Sequence, residues 1–389
     1  MQPKTIELKD VLDYQQPTPY IVKSTDYMES GDIPVLTPGK TFILGYTKEK
    51  EGIFTGPFPV IIFDDFTTAT KLVNFPFKVK SSAMKILLPK SNADVKFIFY
   101  FLQTIHFQAD THKRYWISVC AKTKLALPPL AEQKRIVKKI EELFGVIDEQ
   151  VKRLEATQEA LISYRQSILQ QIFSSLPQKT TLRSIFKTSS GGTPSRRHVE
   201  YYEGNIPWVK SGELNYNTII DTEEHLSQTA LDNSSAKLFP KGSLLIALYG
   251  ATIGRLAFLG VPAATNQAVC CIFPNEQYDM QFLYYFLQHK QKYLIFQSKG
   301  GAQKNISQEI LKELPIPTID LPEQKGIVKK IETAFAFADK AQVAITDALE
   351  QAKQLKQSIL KRAFEGKLVP QDPNDKPVDL TQLKKDKQK

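Results

Sequence analysis

Two stretches of the chain carry apolar residues that step by three and four. The first contains Ile136, Ile140, Leu143, Ile147, Val151, Leu154, Leu161, Ile168 and Ile172, and the second Ile327, Ile331, Phe335, Ala338, Ile345, Leu349, Ala352, Ile359 and Ala363. Neither has a proline in its interior, and each has one early glycine, Gly145 or Gly326. This spacing predicts one long amphipathic helix per stretch, with a narrow apolar seam. About 45 residues at 1.5 Å per residue make a rod of roughly 65 to 70 Å. So long a rod cannot bury its seam in one small globule, so the partner expected for each helix is the other. The chain between them must leave one end and return, which favours antiparallel pairing. Large Leu143 and Ile147 are expected opposite small Ala334 and Ala338.

The two stretches are copies. Leu130-Ala-Glu-Gln-Lys-Arg-Ile-Val-Lys-Lys-Ile-Glu141 recurs as Leu321-Pro-Glu-Gln-Lys-Gly-Ile-Val-Lys-Lys-Ile-Glu332, identical at ten of twelve positions with an offset of 191. The same offset carries Gln166-Ser-Ile-Leu169 onto Gln357-Ser-Ile-Leu360 and Phe173 onto Phe364. A gapless internal repeat of this length is an architectural signal.

Ahead of each helix lies a block with short β-rich runs, such as Phe58-Pro-Val-Ile-Ile-Phe63 and Ser243-Leu-Leu-Ile-Ala-Leu-Tyr249, between Gly, Asn and Pro turns. The blocks echo one another faintly: Gly31-Asp-Ile-Pro-Val35 with Gly204-Asn-Ile-Pro-Trp208, and Phe97-Ile-Phe-Tyr-Phe-Leu-Gln103 with Phe282-Leu-Tyr-Tyr-Phe-Leu-Gln288. The expected fold class is α+β: two small mixed globules joined by two long antiparallel coiled-coil helices with pseudo-twofold symmetry. The boundaries are residues 1–127 for the first globule, 128–178 for the central helix, 179–317 for the second globule and 318–370 for the distal helix. A charged, Pro-rich tail, 371–389, is expected to be extended or flexible.

Composition narrows the function. With 389 residues, 42% hydrophobic and 24% charged, the chain can bury cores in two or more domains. No run reaches the roughly 18 apolar residues of a membrane span, and Met1-Gln-Pro-Lys4 does not open a signal peptide, so a soluble, cytoplasmic protein without membrane contact is expected. Cys120 and the adjacent Cys270-Cys271 suit neither a disulfide framework nor a metal knuckle, and read as buried apolar residues. There is no Gly-x-Gly and no phosphate-binding loop, and the only Pro-Pro, at 128–129, lacks the flanking residues that hold a flipped adenine. His198-Val-Glu200 lacks the Pro-Cys-x-x-Cys of a zinc deaminase, and Gly250-Ala-Thr-Ile-Gly254 lacks the spacing of a dinucleotide loop. No catalytic residue, metal site or cofactor is therefore assigned to this chain.

The net charge of +10 divides as +4 over residues 1–127, zero over 128–176, and +3 each over 177–315 and 316–389. Each globule interleaves basic, amide and aromatic residues, at Thr111-His-Lys-Arg-Tyr-Trp116 and at Ser298-Lys-Gly-Gly-Ala-Gln-Lys-Asn305. Solvated loops share that composition. Two related but divergent basic globules on a rigid frame nevertheless suit a reader of two half-sites at fixed separation.

The repeated Leu-x-Glu-Gln-x-x-Ile-Val helix start, the Gln-Ser-Ile-Leu helix end, the closing Ala363-Phe-Glu-Gly-Lys-Leu-Val-Pro370, and Gly191-Gly-Thr-Pro-Ser195 followed by Ile206-Pro-Trp-Val-Lys210 resemble the specificity subunit of type I restriction-modification systems. The resemblance covers nearly the whole chain in order. It implies a non-catalytic subunit whose two target-recognition domains read a split, asymmetric sequence in double-stranded DNA. Its helices would set the spacer and dock two methyltransferase (modification) subunits that methylate adenine with S-adenosylmethionine. Restriction/translocase subunits using ATP with Mg would join them.

Carried onto this sequence, the resemblance puts Gly191, Gly192, Thr193, Lys210, Tyr249, Thr252, Arg255, Asn266, Gln267, Lys299, Gln303, Lys304 and Asn305 on the second globule's DNA face. The first globule has Gln16-Pro-Thr-Pro19 in place of Gly-Gly-Thr-Pro, so its candidates, Thr37, Lys71, Lys113, Arg114 and Tyr115, come from charge and position alone. Helix packing is assigned to Ile136, Ile140, Ile147, Leu154, Ile168, Ile327, Ile331, Phe335, Ile345 and Ile359. The rival reading is a structural coiled-coil interaction protein without a DNA role.

Overall fold

The computed structural model describes residues 4–39, 41–90, 93–105, 115–298 and 305–378. The chain divides into two units, Met1–Leu154 with Thr346–Lys389, and Glu155–Ile345. Two long helices, Leu130–Ser174 and Leu321–Phe364, run through this division, so each unit owns one globule and a segment of both helices. Each unit is α+β.

In the first unit a four-stranded antiparallel sheet is ordered Leu12–Gln15, Met84–Pro89, Val60–Asp64, Thr70–Val73. Beside it is a three-stranded sheet ordered Ile43–Thr47, Ile33–Leu36, Lys78–Val79. Val60, Ile61 and Ile62 are all fully buried, as in a strand covered on both faces. The chain's first strand, Lys4–Glu7, pairs antiparallel with Lys124–Leu127, which delivers the chain to the first long helix.

In the second unit a five-stranded sheet is ordered Thr188–Ser190, Val269–Ile272, Leu244–Ala247, Leu256–Leu259, Thr218–Ile219. A four-stranded sheet is ordered His225–Leu226, Ile206–Val209, Ala263–Thr265, Leu238–Phe239. Thr180–Thr181 pairs antiparallel with Pro315–Ile316 just before the second long helix. The three cysteines are buried, and burial pushes the Cys120 and Cys271 thiols up to about 12, so they act as apolar filler.

The same clasp joins globule to helix in each unit. Gln133, wholly buried, accepts the Asp94 amide on Oε1 at 2.8 Å and donates from Nε2 to the Pro128 carbonyl at 2.9 Å. Gln324, 1% exposed, accepts the Asp279 amide at 2.7 Å and donates to the Ile319 carbonyl at 3.0 Å. Asp94 and Asp279 in turn N-cap helices Val95–Leu102 and Met280–Gln297 by accepting the amides of Phe97 and Phe282. The Glu-Gln of the repeated helix start thus serves a structural purpose: its glutamine fastens the cap of the globule's helix to the first turn of the long helix. The far ends are held by aromatic contact. Phe364 lies 5.1 and 5.2 Å from Phe97 and Phe101, while Phe173 lies 5.3 and 5.5 Å from Phe282 and Phe286.

A repeated trio marks the register of the paired helical segments. In the first unit the Lys356 ammonium reaches Asp148 and lies 5.0 Å from the Phe144 ring centroid. In the second unit Arg165 reaches Asp339 at 2.6 Å and lies 5.0 Å from the Phe335 ring. Each member of one trio maps onto the other at the repeat offset. Tyr100 and Tyr285 stand edge-on to Phe144 and Phe335, and burial, reinforced by Glu141 and Asp148, pushes the Tyr100 hydroxyl up to about 12.

Ile136, Ile140, Ile147 and Ile359 are buried in the first unit and Ile327, Ile331, Phe335 and Ile345 in the second, while Leu154 and Ile168 are half-buried. Two expectations need correction. Leu143 and Ile147 do not face Ala334 and Ala338. They pack in the first unit with Ile359, Leu360 and Ala363, whereas Ala338 is buried in the second. In an antiparallel pair, positions equivalent by the repeat meet only near its midpoint, and the Asp148–Lys356 contact places Leu143 and Ile147 away from it. Nor is the segment after the second helix loose as far as it is described: Arg135 holds Asp375 through two bonds of 3.1 and 2.6 Å, and Val378 is 7% exposed against the first unit's core. Residues 379–389 of the expected tail lie outside the described residues.

Replacing Gln133 or Gln324 with Ala strips a buried amide of its acceptor, so each variant should lose about 1–3 kcal/mol of stability in denaturant titration. A loss under about 0.5 kcal/mol, the range of surface substitutions, would show that the clasp is not holding the globule.

Candidate nucleic-acid interface

The second globule gathers most of its candidates at the end of a parallel strand pair. Trp208 pairs with Ala264 and Val209 with Thr265, so Lys210 and Asn266 leave the sheet side by side, and the Asn266 amide donates to the Val209 carbonyl at 2.9 Å. Gly191-Gly192-Thr193 crosses this end. The Gly192 amide donates to the Thr265 carbonyl at 2.9 Å, the Trp208 indole donates to the Gly192 carbonyl at 3.1 Å, and the Thr193 hydroxyl donates to Gln267. A Cβ on Gly191 would stand 2.0 Å from the Thr265 carbonyl oxygen, and one on Gly192 would stand 2.4 Å from the Ser235 backbone. The glycines are there because two backbones touch.

Tyr249 follows the strand Leu244–Ala247 of the five-stranded sheet, at the end next to the Asn266–Ala268 turn. The Leu248 amide donates to the Ala268 carbonyl at 2.8 Å, and Tyr249 bridges to Asn305. Ser190, Tyr249 and Asn305 line a groove of about 690 Å³ continued by Ser307 and Gln308. Thr252 bonds back to the Tyr249 carbonyl at 2.9 Å, and Arg255 is held on Asn215 at 2.9 Å. Gly191, Gly192, Thr193, Lys210, Asn266, Gln267, Tyr249 and Asn305 therefore share one strand-end region. Lys299, Gln303 and Lys304 lie outside the described residues.

The charge there is more balanced than residue counting suggests. The Lys210 ammonium contacts Glu223 and Glu224, each at 3.0 Å, and these bonds raise its pKa. Arg196 contacts Glu224 at 2.6 Å and lies 4.1 Å from the Tyr202 ring and 5.4 Å from the Trp208 ring. The Arg196 and Lys210 bonds hold the Glu224 carboxyl below the usual carboxylate range. Arg196 was missed in the sequence, although it directly follows the Gly-Gly-Thr-Pro-Ser loop; stacking on aromatics is a role guanidinium suits.

In the first globule Thr37 and Lys71 meet around Phe42. The Thr37 amide donates to the Phe42 carbonyl at 3.0 Å, and the Lys71 ammonium lies 5.9 Å from the Phe42 ring. Tyr115 is withdrawn from the candidate face: it is 5% exposed within the apolar core beside Trp116, because its amide and that of Trp116 are drawn onto Asp65. Lys113 and Arg114 lie outside the described residues. Part of the positive charge of this globule is internal. Lys85, 1% exposed, meets Asp65 at 3.3 Å and Gln16 at 3.0 Å, so the Gln16-Pro-Thr-Pro19 loop is tied to a buried ion pair. Lys78 and Lys90 are likewise buried on Glu49 and Asp13. Among the described residues no cluster of His, Cys, Asp or Glu could hold a metal ion, and no helix is long and apolar enough to cross a membrane.

Comparison with known proteins agrees with this arrangement of two globules on repeated helices. Residues 3–156 and 177–351 match the family described as type I restriction modification DNA specificity domain. The chain belongs to this family. It is 33% identical over 370 residues, 90% of each chain, to the type I restriction enzyme EcoR124I/EcoR124II specificity subunit of Escherichia coli. It is 31% identical over 189 residues, 47% of this chain and 41% of that one, to the MjaIX specificity subunit of Methanocaldococcus jannaschii. Its fold is that of the HsdS subunit from Thermoanaerobacter tengcongensis, with a TM-score of 0.50 at 19% identity over 94% of this chain and 97% of that one. A chain solved for the assembly and conformational transition of a type I R-M system gives a TM-score of 0.69 at 20% identity, covering 94% and 98%. As a type I specificity subunit the chain serves DNA target recognition and is not itself a catalyst.

Because the Glu224 pKa is lowered in the fold, its contribution to stability is complete above the ordinary carboxylate value and is lost as pH falls through the lowered one. Acid titration should therefore release Arg196 and change Trp208 fluorescence below the usual carboxylate range, and Glu224→Gln should abolish that step. A step that persists in the variant would assign it to another group.

Proposed function

We propose that the chain reads a bipartite, asymmetric sequence in double-stranded DNA, one part by each globule. The long helices set the unread spacer and dock two methyltransferase subunits, so that adenines in the target are methylated with S-adenosylmethionine. Restriction/translocase subunits using ATP with Mg complete the complex and act on unmodified DNA in the cytoplasm. The observation that carries this reading is that one buried clasp seats two globules whose strand-end faces differ: Gly191-Gly-Thr with Lys210, Asn266 and Gln267 in one, Thr37 and Lys71 around Phe42 in the other. Like mounts and unlike faces suit like positioning of unlike sequence readers.

On this reading phosphates are drawn by exposed Lys and Arg, and bases are distinguished by a few amide and basic side chains, each good pair contributing about 1–3 kcal/mol. Methylome sequencing of a methylation-deficient host carrying the chain, with and without its modification subunit, tests it. A single two-part adenine motif should appear only when both are present; none, from a folded complex, would favour the interaction-protein reading. Inserting four residues into each long helix adds about 6 Å. At 3.4 Å per base pair this should widen the spacer by one or two base pairs and leave both half-sites unchanged. An unchanged spacer would reject the helices as its ruler.

A further inference from the structure

The internal repeat separates what packing requires from what it does not. Residues kept in both copies and buried in both, such as Gln133 with Gln324 and Ile140 with Ile331, are accounted for by the clasp and the seam. Positions exposed in both copies have mostly diverged, as at Glu142 and Thr333, Val146 and Phe337, or Lys152 and Val343. Exposed substitutions away from special features usually change stability by less than about 0.5 kcal/mol, so the fold does not hold such residues constant.

One exposed set has not diverged. Lys134, Lys138 and Glu141 reappear as Lys325, Lys329 and Glu332, and all six are exposed. Their spacing of four and then three places each triplet on one helix face, beside the buried seam. Glu141 is engaged by Lys96 at 2.7 Å, but none of the four lysine ammonium groups has an ion-pair or hydrogen-bond partner among the described residues. Of the other exposed identities, Asp148 and Asp339 meet Lys356 and Arg165, and Gln166 accepts from Lys292 at 2.9 Å. A charged stripe with no internal role, kept twice and placed once in each unit, is what two copies of one partner would select.

We propose that Lys134-Lys138 and Lys325-Lys329 are two equivalent docking stripes, each receiving an acidic surface of one methyltransferase subunit. The inference rests on the function proposed above and adds where and by what chemistry the partner binds. A protein surface suits the stripes better than DNA phosphate, because the carboxylate retained at the edge of each stripe repels phosphate but pairs readily with a mixed-charge protein surface.

The test measures the stoichiometry of the full chain with its modification subunit by native mass spectrometry, alongside duplex binding by the full chain alone. Wild type should bind two copies. Lys134→Glu with Lys138→Glu should bind one, Lys325→Glu with Lys329→Glu one, and the fourfold variant none, with duplex affinity kept within twofold throughout. Lys134→Arg with Lys138→Arg should still bind two, as should Lys152→Glu, a reversal at a diverged exposed position. Two copies on the fourfold variant would overturn the docking stripes and leave the proposed function standing. Loss of duplex affinity with stoichiometry intact would assign the stripes to DNA and overturn the proposal. A wild-type chain that binds no modification subunit would sink the proposed function and this inference with it.

Discussion

A buried amide side chain governs how each globule meets its helix. Gln133 and Gln324, both buried, each close two hydrogen bonds, to the N-cap of a globule helix and to the carbonyl ahead of a long helix. In such a site both bonds must be made, since a buried amide without its acceptor costs more than the bond contributes. The clasp therefore has essentially one geometry, which it imposes on two globules that share little sequence. The caps at Asp94 and Asp279 and the phenylalanine contacts at the other helix ends depend on that placement.

The helices and their duplication were legible in the sequence because they rest on identity and period: a twelve-residue match and apolar steps of three and four survive without any knowledge of contacts. The register was not. The contacts that mark it, Asp148 with Lys356 and Asp339 with Arg165, join a carboxylate to two different cations, and Asp94 and Asp279 stand at an offset of 185 rather than 191. Neither relation shows as a repeat until the chain is folded. Leu143 was matched to Ala334 by size alone, a comparison blind to antiparallel geometry.

The candidate DNA face was legible in part. The Gly-Gly-Thr-Pro loop, Lys210 and Asn266-Gln267 do come together, at the end of the parallel strands, because the loop must touch Thr265 and Ser235. Charge counting misled in the first globule, since composition does not reveal that Lys78, Lys85 and Lys90 are internal. Tyr115 follows a basic run, yet the backbone there is drawn inward by Asp65. Family membership then supplies what geometry alone leaves open: these strand ends belong to a type I specificity subunit, a protein of DNA target recognition.

The account depends most directly on the clasps, and amide hydrogen exchange at Asp94 and Asp279 tests them. Both amides should exchange only with cooperative unfolding of their unit, at the same protection as the cores of Val95–Leu102 and Met280–Gln297. Exchange at the rate of exposed loop amides, while those helices remain protected, would contradict it.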